Sequence, residues 1–475
     1  MTAAMAFALM QTFLIPALPT LQHDLNTSAT WVTWTVTIYL ITGAVSTPIL
    51  GRLGDQHGKL RLLMISLTVF LIGSVGAIFA WNIGSLIAFR AVQGLGGAVF
   101  PLSFAIIRDH FPPARVNVAM GIVSAVLGVG GGVGIVASGL IVDHASWRWL
   151  FVVSALMVGA AIILVHRFVP ESDVRASASV DVWGGVTLSA ALICTLVALS
   201  EGERWGWSSP AILGLFAGGL LAFVAWVLVE LRVASPMVDM RMMVRRPVLF
   251  TNITALMSGF ALYMVWVILP AFYQLPRGLP DQLARFADYG FDTSVTVAGF
   301  WMLPTSLAIL LAGPAAGMVG ARRGSHGPLT VGMIMLALGS AGIALWHGAP
   351  WQPAAWFILC GVGIGASFAV MPKLIMDAVD ITETGVATGM NTVVRTVGGV
   401  IGAQAGAVVL AISKPAGVPV PAESGFVHAF WIGAGAALIG AVAAWLVVPR
   451  GRRARPRVSV RAHAATPASG AGPGR

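Results

Sequence analysis

The chain contains the charged stretch Gly51-Arg52-Leu53-Gly54-Asp55-Gln56-His57-Gly58-Lys59-Leu60-Arg61 between two long apolar runs, Trp31–Leu50 and Leu62–Ala80. The stretch is too short to form a domain and too charged to lie in lipid. Each flanking run is long enough to cross the hydrocarbon core of a bilayer as a helix. The sequence therefore predicts a tight hairpin that joins two membrane-spanning helices on the positively charged side of the membrane.

The glycines and charges of this hairpin each have a predicted use. Gly51 and Gly54 allow two helix ends to approach closely, and Gly58 can adopt a turn conformation that other residues avoid. Asp55 is expected near the start of the following helix, where the helix dipole favours negative charge. The two basic residues at the end of the stretch are expected just outside the bilayer, where anionic lipids attract them.

The pattern Gly-x-Leu-x-Asp-x-x-Gly-Lys that begins at Gly51 resembles the signature loop between spans two and three of the major facilitator superfamily of transporters. An ordinary cytoplasmic loop would also carry Lys and Arg. It would not require Asp55 at this spacing between Gly51 and Gly58. The resemblance implies a gating, conformational role for residues of the hairpin, namely Gly51, Gly54, Asp55, Gly58, Lys59 and Arg61.

Composition indicates the class of protein. The chain has 475 residues, of which 57% are hydrophobic and only 10% are charged, whereas a soluble domain carries about a quarter charged residues. The apolar residues fall into many runs of roughly 18 to 25, the length that crosses a hydrocarbon core. The net charge of +10 is spread over short loops and a tail. That distribution is typical of membrane topology and argues against nucleic-acid binding.

The sequence predicts no cofactor, no metal site and no enzymatic activity. The two cysteines, Cys194 and Cys360, fall inside separate apolar runs without a nearby Cys or His partner. A membrane enzyme would need clustered His, Asp or Cys at one face of the membrane. Histidines are instead scattered over both predicted faces, as at His23, His57, His110, His144, His326 and His347.

The apolar runs predict about fourteen membrane-spanning helices. The first six are Ala3–Leu21, Trp31–Leu50, Leu62–Ala80, Ile83–Ile107, Val116–Val142 and Trp149–Val165. Two more, Val182–Leu199 and Ala211–Val229, precede the last six, which are Leu249–Tyr273, Ser294–Val319, Leu329–Trp346, Pro353–Met376, Gly385–Ile412 and Val427–Val448.

The expected fold class is an all-α polytopic membrane protein with two pseudo-symmetric six-helix bundles plus two extra linker helices. A loop in the second half, Gly313–Gly324, repeats the glycines and basic residues of the first hairpin but has no acid. The predicted domains are an N-terminal six-helix bundle at 1–169, two extra transmembrane helices with their linkers at 170–247, a C-terminal six-helix bundle at 248–449 and a disordered basic cytoplasmic tail at 450–475.

Basic residues predict the orientation. With the Gly51–Arg61 hairpin inside, most other basic loop residues also fall inside, and an even number of spans places both termini in the cytoplasm. Arginine dominates, with only Lys59, Lys373 and Lys414 as lysines, and the abundance of Ala, Gly and Val favours a bacterial source. The expected location is therefore the bacterial plasma (inner) membrane. No cleavable signal peptide is expected, because the first apolar run begins almost at Met1.

Polar side chains inside predicted spans are the main candidates for function. Arg90 and Gln93 are three residues apart and share one face of the fourth span. Their spacing, Arg-x-x-Gln-Gly, resembles the fourth-span motif of proton-coupled facilitator antiporters, and the resemblance implies that Arg90 takes part in proton transfer. The alternative is that Arg90 snorkels to an interface from near the start of its span.

A second cation, Arg395, lies in the run Gly389–Gly399. This run resembles the thirteenth span of the fourteen-span drug:proton antiporter branch. Asn391 precedes Arg395 by four residues and shares its helix face. The two side chains could hydrogen-bond a substrate or hold two helices together, and the sequence favours neither use.

The residues that would carry a coupling proton depart from the antiporter pattern. That pattern has an acid and an Asn in the first span, where this chain has Met10 and Ile15, and a proline in the fifth span, where it has Ile135. No carboxylate lies well inside a predicted span. A proton-driven antiporter needs a group that binds and releases a proton. The remaining candidates, among which the sequence favours none, are Asp24, Asp109 and Asp143.

The ninth span is the candidate substrate path. Flexible Met side chains with aromatic rings suit a promiscuous apolar cavity, although side chains that face lipid would give the same composition. The candidate substrate-path residues are Asn252, Met257, Tyr263 and Trp266, together with Asn391 and Arg395 from the thirteenth span.

The sequence therefore predicts a transporter that exports small amphipathic or cationic molecules, such as drugs, antibiotics or related metabolites, by alternating access. The resemblance implies proton-driven antiport, so the expected partners are a small-molecule substrate, protons and the lipid bilayer. The alternative is a symporter or uniporter for a metabolite, which the altered first and fifth spans favour. A monomer is expected. A non-transporting sensor is disfavoured because no soluble signalling domain is evident.

Overall fold

A computed structural model describes residues 1–14, 17–172, 181–275, 289–415 and 420–447. Within these ranges the regular elements are helices. The all-α polytopic fold class predicted from the sequence is confirmed. The predicted tail at 450–475 lies outside the described residues.

Two of the predicted spans in the first part of the chain are broken. The first is divided into α1 (Thr2–Thr12) and α2 (Leu18–Asp24), and the fourth into α5 (Ile83–Gly94) and α6 (Val99–His110). Glycine is a poor helix former, and the second break falls among Gly94, Gly96 and Gly97. The unbroken helices of this part are α3 (Ala29–His57), α4 (Lys59–Ile78), α7 (Pro113–His144) and α8 (Arg148–Phe168).

The remaining helices follow the predicted spans closely, with one short addition. The addition is α11 (Met240–Met243), and a 3-10 turn at Ile381–Glu383 precedes the helix that begins at Thr384. The long helices are α9 (Val182–Trp205), α10 (Pro210–Arg232), α12 (Arg246–Gln274), α13 (Val295–Arg323), α14 (His326–Leu345), α15 (Trp351–Met376), α16 (Thr384–Ile412) and α17 (Glu423–Leu446).

Local sequence explains where several helices begin and end. The hydroxyls of Ser28, Ser209 and Ser294 accept hydrogen bonds from backbone N–H groups in the first turns of α3, α10 and α13, which is the preferred role of serine at a helix start. Gly58 and Gly324 end α3 and α13 with φ of 110° and 90°. Side chains disfavour this backbone region, so the turn conformation predicted for Gly58 is confirmed.

Twelve helical segments in the described part of the chain are long and apolar enough to cross a membrane, with α5 and α6 taken together as one segment. Two further regions, α1–α2 and α7, occupy the places of the first and fifth predicted spans. The total of fourteen spans stays a prediction. Large apolar side chains cover the outer surfaces, as at Leu220 and Leu221 of α10, which are 64% and 70% exposed. Lipid accommodates such a surface, whereas water does not.

Two large apolar cores and the helix contacts between them organise the molecule. One core is formed by side chains of α1–α8 and the other by side chains of α12–α17. The two parts meet where α3 packs against α16 and where α7 packs against α13 and α15. The helices α9 and α10 pack against each other, and α9 also contacts α3 and α16. The division of the chain into domains stays a prediction.

The Gly51–Arg61 stretch is more helical than the predicted hairpin. α3 continues to His57 and α4 begins at Lys59, so that Gly58 alone separates them. Asp55 therefore lies in the last turns of α3, and its predicted position near the start of α4 is wrong. The predicted lipid contact of Lys59 is also wrong, because Lys59 is fully buried and pairs with a carboxylate there. Arg61 is exposed.

Glycines on one face of α16 bring it into backbone contact with α12. A Cβ at Gly398 would lie 2.1 Å from the carbonyl oxygen of Leu256, and a Cβ at Gly402 would lie 2.1 Å from that of Phe260. Because these obstacles are backbone atoms, a larger residue at either position would force the two helices apart.

Gly402→Val is expected to destabilise the folded protein by about 1–3 kcal/mol, the usual cost of overpacking. The measurement is the temperature at which the detergent-solubilised protein loses its monodisperse size-exclusion peak. Gly435→Val is the matched control, because a Cβ at Gly435 in α17 meets nothing within 4 Å. An equal loss of thermal stability in both variants would contradict the packing argument.

Candidate functional site

Asp55 at the end of α3 binds the first residues of α16. Its Oδ1 accepts a hydrogen bond from the backbone N–H of Gly385 and its Oδ2 accepts one from that of Val386, both at 3.0 Å. The residue is only 1% exposed. A helix N-terminus offers unpaired N–H groups and the positive end of the helix dipole, so it stabilises a buried carboxylate. We define the gate as Gly51, Asp55, Lys59, Asp109, Gly385 and Val386.

Two glycines allow the helix backbones to touch at the gate. A Cβ on Gly51 would lie 2.7 Å from the carbonyl oxygen of Gly385, and a Cβ on Gly385 would lie 2.6 Å from that of Gly51. The close approach expected of Gly51 is therefore found, but with α16 instead of α4. Gly54 packs against the Leu102 side chain of α6.

Lys59 supplies the cation of the gate. Its Nζ donates to Oδ2 of Asp109 at 2.6 Å and lies 4.0 Å from Oδ1 of Asp55. The hydroxyl of Ser172 donates to the same Asp109 oxygen at 2.5 Å. A buried charge is costly unless an opposite charge compensates it. The Lys59 side chain is fully buried, and the two carboxylates supply that compensation.

The linker after α8 also contacts the gate region. The Glu171 carboxylate accepts hydrogen bonds from the backbone N–H groups of Leu60 at 2.9 Å and Arg61 at 3.0 Å. Glu171 thus occupies the place at the start of α4 that the sequence analysis gave to Asp55. Sequence reasoning missed Glu171 because it lies in a polar linker with no spacing that relates it to α4.

A segment that follows α10 is attached to α3. Nη2 of Arg52 donates to the carbonyl oxygen of Pro236 at 3.0 Å. Glu230 at the end of α10 fixes this segment, because it accepts hydrogen bonds from Nε1 of Trp226 at 2.8 Å and from the backbone N–H of Val238 at 3.0 Å. The segments before α9 and after α10 therefore both contact the helices that carry the gate residues.

A second contact between the two parts lies at the gate end of the molecule. A Cβ at Gly121 of α7 would lie 2.6 Å from the carbonyl oxygen of Gly313 in α13. A Cβ at Gly317 would lie 2.5 Å from the carbonyl oxygen of Asn117. The helix pairs α3–α16 and α7–α13 thus close this end together.

Arg90 is fully buried and does not snorkel to an interface. Its guanidinium donates to Oε1 of Gln93 at 2.5 Å and to the carbonyl oxygens of Thr35 at 3.0 Å and Met10 at 3.3 Å. It also lies 4.1 Å from the centroid of the Tyr39 ring. These partners are all neutral, and no carboxylate of the described ranges forms an ion pair with Arg90.

The candidate proton carriers do not gather around Arg90. Asp109 lies in the gate, whereas Asp24 and Asp143 are exposed at the opposite end of the molecule. The predicted departures at Ile15 and at the Ile135 side chain lie outside the described residues.

A cavity of about 760 Å³ opens at the end opposite the gate. It lies between the first turns of α3, near Thr33, and the last turns of α12, near Gln274. A smaller cavity of about 70 Å³ continues toward the gate and includes Phe368 and Arg395. The two cavities are adjacent, because they share the lining residues Gln11, Leu40, Tyr263, Trp266 and Thr396. We refer to the two together as the path.

The predicted substrate-path residues occupy different surroundings. Tyr263 and Trp266 line both cavities, with their rings in a T-shaped contact at 6.0 Å. Arg395 lines the smaller cavity. Asn252 and Asn391 bind each other instead, and Nδ2 of Asn391 donates to Oδ1 of Asn252 at 2.9 Å. This hydrogen bond connects α12 to α16.

One predicted substrate-path residue lies away from the cavities, and two residues that were not predicted line them. Met257 packs toward α17 near Gly440 and is not among the residues that line either cavity. Gln11 and Gln404 do line the path, and neither is among the predicted substrate-path residues. The available signal was an amide side chain inside a predicted span, which is costly in lipid and therefore a candidate for function.

Comparison with known proteins gives consistent matches. Residues 1–403 match the Major Facilitator Superfamily. The tetracenomycin C resistance and export protein of Streptomyces glaucescens is 29% identical over 404 residues, which cover 84% of this chain and 72% of that protein. Multidrug resistance protein 3 of Bacillus subtilis (strain 168) is 28% identical over 375 residues, which cover 78% of this chain and 70% of that protein. The family and these relatives are transporters rather than enzymes.

Solved structures have the same fold. The human organic anion transporter MFSD10 (TETRAN) superimposes with a TM-score of 0.64 at 14% identity, covering 94% of this chain and 97% of that one. The proton:xylose symporter XylE superimposes with a TM-score of 0.62 at 15% identity, covering 94% of each chain. At these identities the likeness concerns the fold alone. Because residues 1–403 match the family and the fold agrees, the chain belongs to the Major Facilitator Superfamily of membrane transporters.

Proposed function

We propose that this chain exports small amphipathic molecules across the bacterial plasma membrane by alternating access. The observation that carries the proposal is the gate closed at Asp55 together with a cavity of about 760 Å³ open at the opposite end. An alternating-access transporter requires a state that is closed at one end and open at the other. The relatives named for tetracenomycin C export and for multidrug resistance favour drugs, antibiotics or related metabolites as substrates.

The proposed orientation places the gate and both termini in the cytoplasm. Cytoplasmic loops carry the excess of Lys and Arg in membrane proteins, and the predicted topology places most basic loop residues at the gate end. The cavity then opens to the exterior, so this conformation is the one from which an exported molecule leaves. We place the transporter in the inner membrane as a monomer.

Opening toward the cytoplasm requires the gate to break. The Asp55 carboxylate would lose two hydrogen bonds from a helix N-terminus, and a hydrogen bond to a charged group contributes about 1.5–3 kcal/mol. Two conformations in exchange differ by only a few kcal/mol. Substrate or proton binding can therefore shift the equilibrium only if it favours the open-gate state by a comparable amount.

The cavity suits substrates of drug size. Ligand sites for such molecules usually measure about 300–1,000 Å³ and are mainly apolar with a few polar groups. Here Tyr263 and Trp266 provide aromatic surface, and Gln11, Gln274 and Gln404 provide amides. An amide both donates and accepts hydrogen bonds, so it can serve chemically different substrates.

Proton-driven antiport is the proposed energy source, with Asp109 as the proton carrier at the gate. Asp109 and Asp55 both lie near the ammonium group of Lys59. Protonation of Asp109 would remove one of the two charges that compensate Lys59, which weakens the packing of the gate. The resemblance of the Arg90 motif to that of proton-coupled antiporters supports a role for Arg90 on the proposed proton path.

The second candidate function is a symporter or uniporter for a metabolite. Its support is the environment of Arg90, which contacts the carbonyl oxygen of Met10 where the antiporter pattern has an acid. A buried arginine without a carboxylate has no partner that could take up and release a proton beside it.

Asp55→Asn is expected to reduce export at least about tenfold, which corresponds to 1.4 kcal/mol. The amide carries no charge for the start of α16, and its NH₂ group would face a backbone N–H. The measurement is efflux of a panel of fluorescent amphipathic dyes from cells with equal membrane levels of each variant. Asp239→Asn is the control, because Asp239 accepts a hydrogen bond from the backbone N–H of Arg241 at the start of the short helix α11, and an asparagine oxygen can accept the same bond. Wild-type efflux by Asp55→Asn would refute the role of the gate.

Inside-out vesicles that contain the chain are expected to accumulate dye when their lumen is made acidic, and a protonophore should abolish this accumulation. The lumen corresponds to the exterior of the cell, so protons leave it as substrate enters. Vesicles without the chain provide the background. Faster accumulation with the opposite gradient would indicate symport, and accumulation that ignores the gradient would indicate uniport.

A further inference from the structure

The residues that line the two cavities carry a single formal charge, and it is positive. Among the described residues, Arg395 is the lining residue with a charged side chain, and no Asp or Glu lines either cavity. The other polar groups are amides, hydroxyls and phenols, which are neutral at physiological pH. A cationic substrate would therefore find no counter-ion along the path.

Arg395 lies at the smaller cavity without an ion-pair partner among the described residues. Its guanidinium carbon lies 4.4 Å from the centroid of the Phe368 ring, and the side chain is half-buried. Within the described ranges no carboxylate forms an ion pair with it. Stacking stabilises the flat face of a guanidinium but leaves the N–H donors at its edge, whose fork geometry matches a carboxylate or a related anion.

Arg90 adds a second positive charge behind the wall of the smaller cavity. It lies over the ring of Tyr39, and Tyr39 lines that cavity. Its hydrogen-bond partners are neutral, so its charge is not cancelled by a carboxylate. In a site walled by apolar groups, such a charge acts over a longer distance than in water.

Aromatic surface lies next to this charge. Tyr263 and Trp266 meet in a T-shaped contact beside the path, and Phe368 stacks on Arg395. We propose that the preferred substrates are aromatic or otherwise apolar molecules that carry one anionic group, which binds the guanidinium of Arg395. The inference rests on the proposed function in one respect, which is that the two cavities are taken to be the substrate site.

The test uses the purified full-length chain in nanodiscs of neutral phosphatidylcholine lipid. Isothermal titration calorimetry, corrected with empty nanodiscs, compares three probes that share one aromatic body: pyrenebutyrate, pyrenebutanol and the pyrenebutyl trimethylammonium cation. The wild-type chain should bind the anion at least about tenfold more tightly than the alcohol, with the cation weakest. Arg395→Gln should abolish the preference for the anion while it retains binding of the alcohol.

Two further variants complete the design. Arg395→Lys keeps the charge and should keep a preference for the anion, although a reduced one because lysine lacks the fork geometry. Arg232→Gln removes an exposed arginine at the end of α10, away from the cavities, and should match the wild-type chain. If Arg395→Gln binds none of the probes, the Arg395→Lys variant provides the test. Loss of the preference for the anion in Arg395→Lys overturns the inference.

Other results would also overturn the inference. One is that the wild-type chain binds the cation as tightly as the anion, or more tightly. The other is that Arg395→Gln still prefers the anion. The failure of the proposed function has a different signature. If cells and vesicles show no export while the anion preference holds, the transport proposal fails and the binding inference stands. Export that favours the cationic probe contradicts the inference but supports the proposed export function.

Discussion

The hydrogen bonds from the start of α16 to Asp55 are the interaction on which the closed end of the molecule depends. A carboxylate is stable in this buried place only because two N–H groups and a nearby ammonium compensate it. Its oxygens reach those N–H groups because Gly51 and Gly385 allow backbone contact. Lys59, once buried, requires Asp109 in turn. One constraint thus explains why small residues and charges alternate in so short a stretch.

Sequence reasoning succeeded where structure depends on neighbouring residues. The apolar runs located the helices, and spacing identified the turn at Gly58 and the pair formed by Arg90 and Gln93. It failed where partners are distant in sequence. Asp55 binds a backbone group 330 residues away, and Glu171 reaches the start of α4 across 111 residues. Apolar periodicity describes each helix by itself and carries no information on which helix ends meet.

The two membrane arginines illustrate the same limit. Both were conspicuous as cations in apolar runs, and nothing in the local sequence separates an enclosed arginine from one that faces a cavity. Arg90 is surrounded by carbonyl, amide and ring groups from other helices, whereas Arg395 lies where α16 borders the cavity. The helix packing decides the difference, and it gives two similar side chains separate tasks.

The attachment of the extra helices constrains how this chain can change in evolution or in the laboratory. Glu171 and Pro236 flank that insertion, and they provide acceptors for the first turn of α4 and for Arg52. Deletion of the insertion would remove the acceptors for the backbone N–H groups of Leu60 and Arg61 and for the guanidinium of Arg52. A shorter chain would have to replace both acceptors at once, so the insertion and the Gly51–Arg61 stretch would have to be redesigned together.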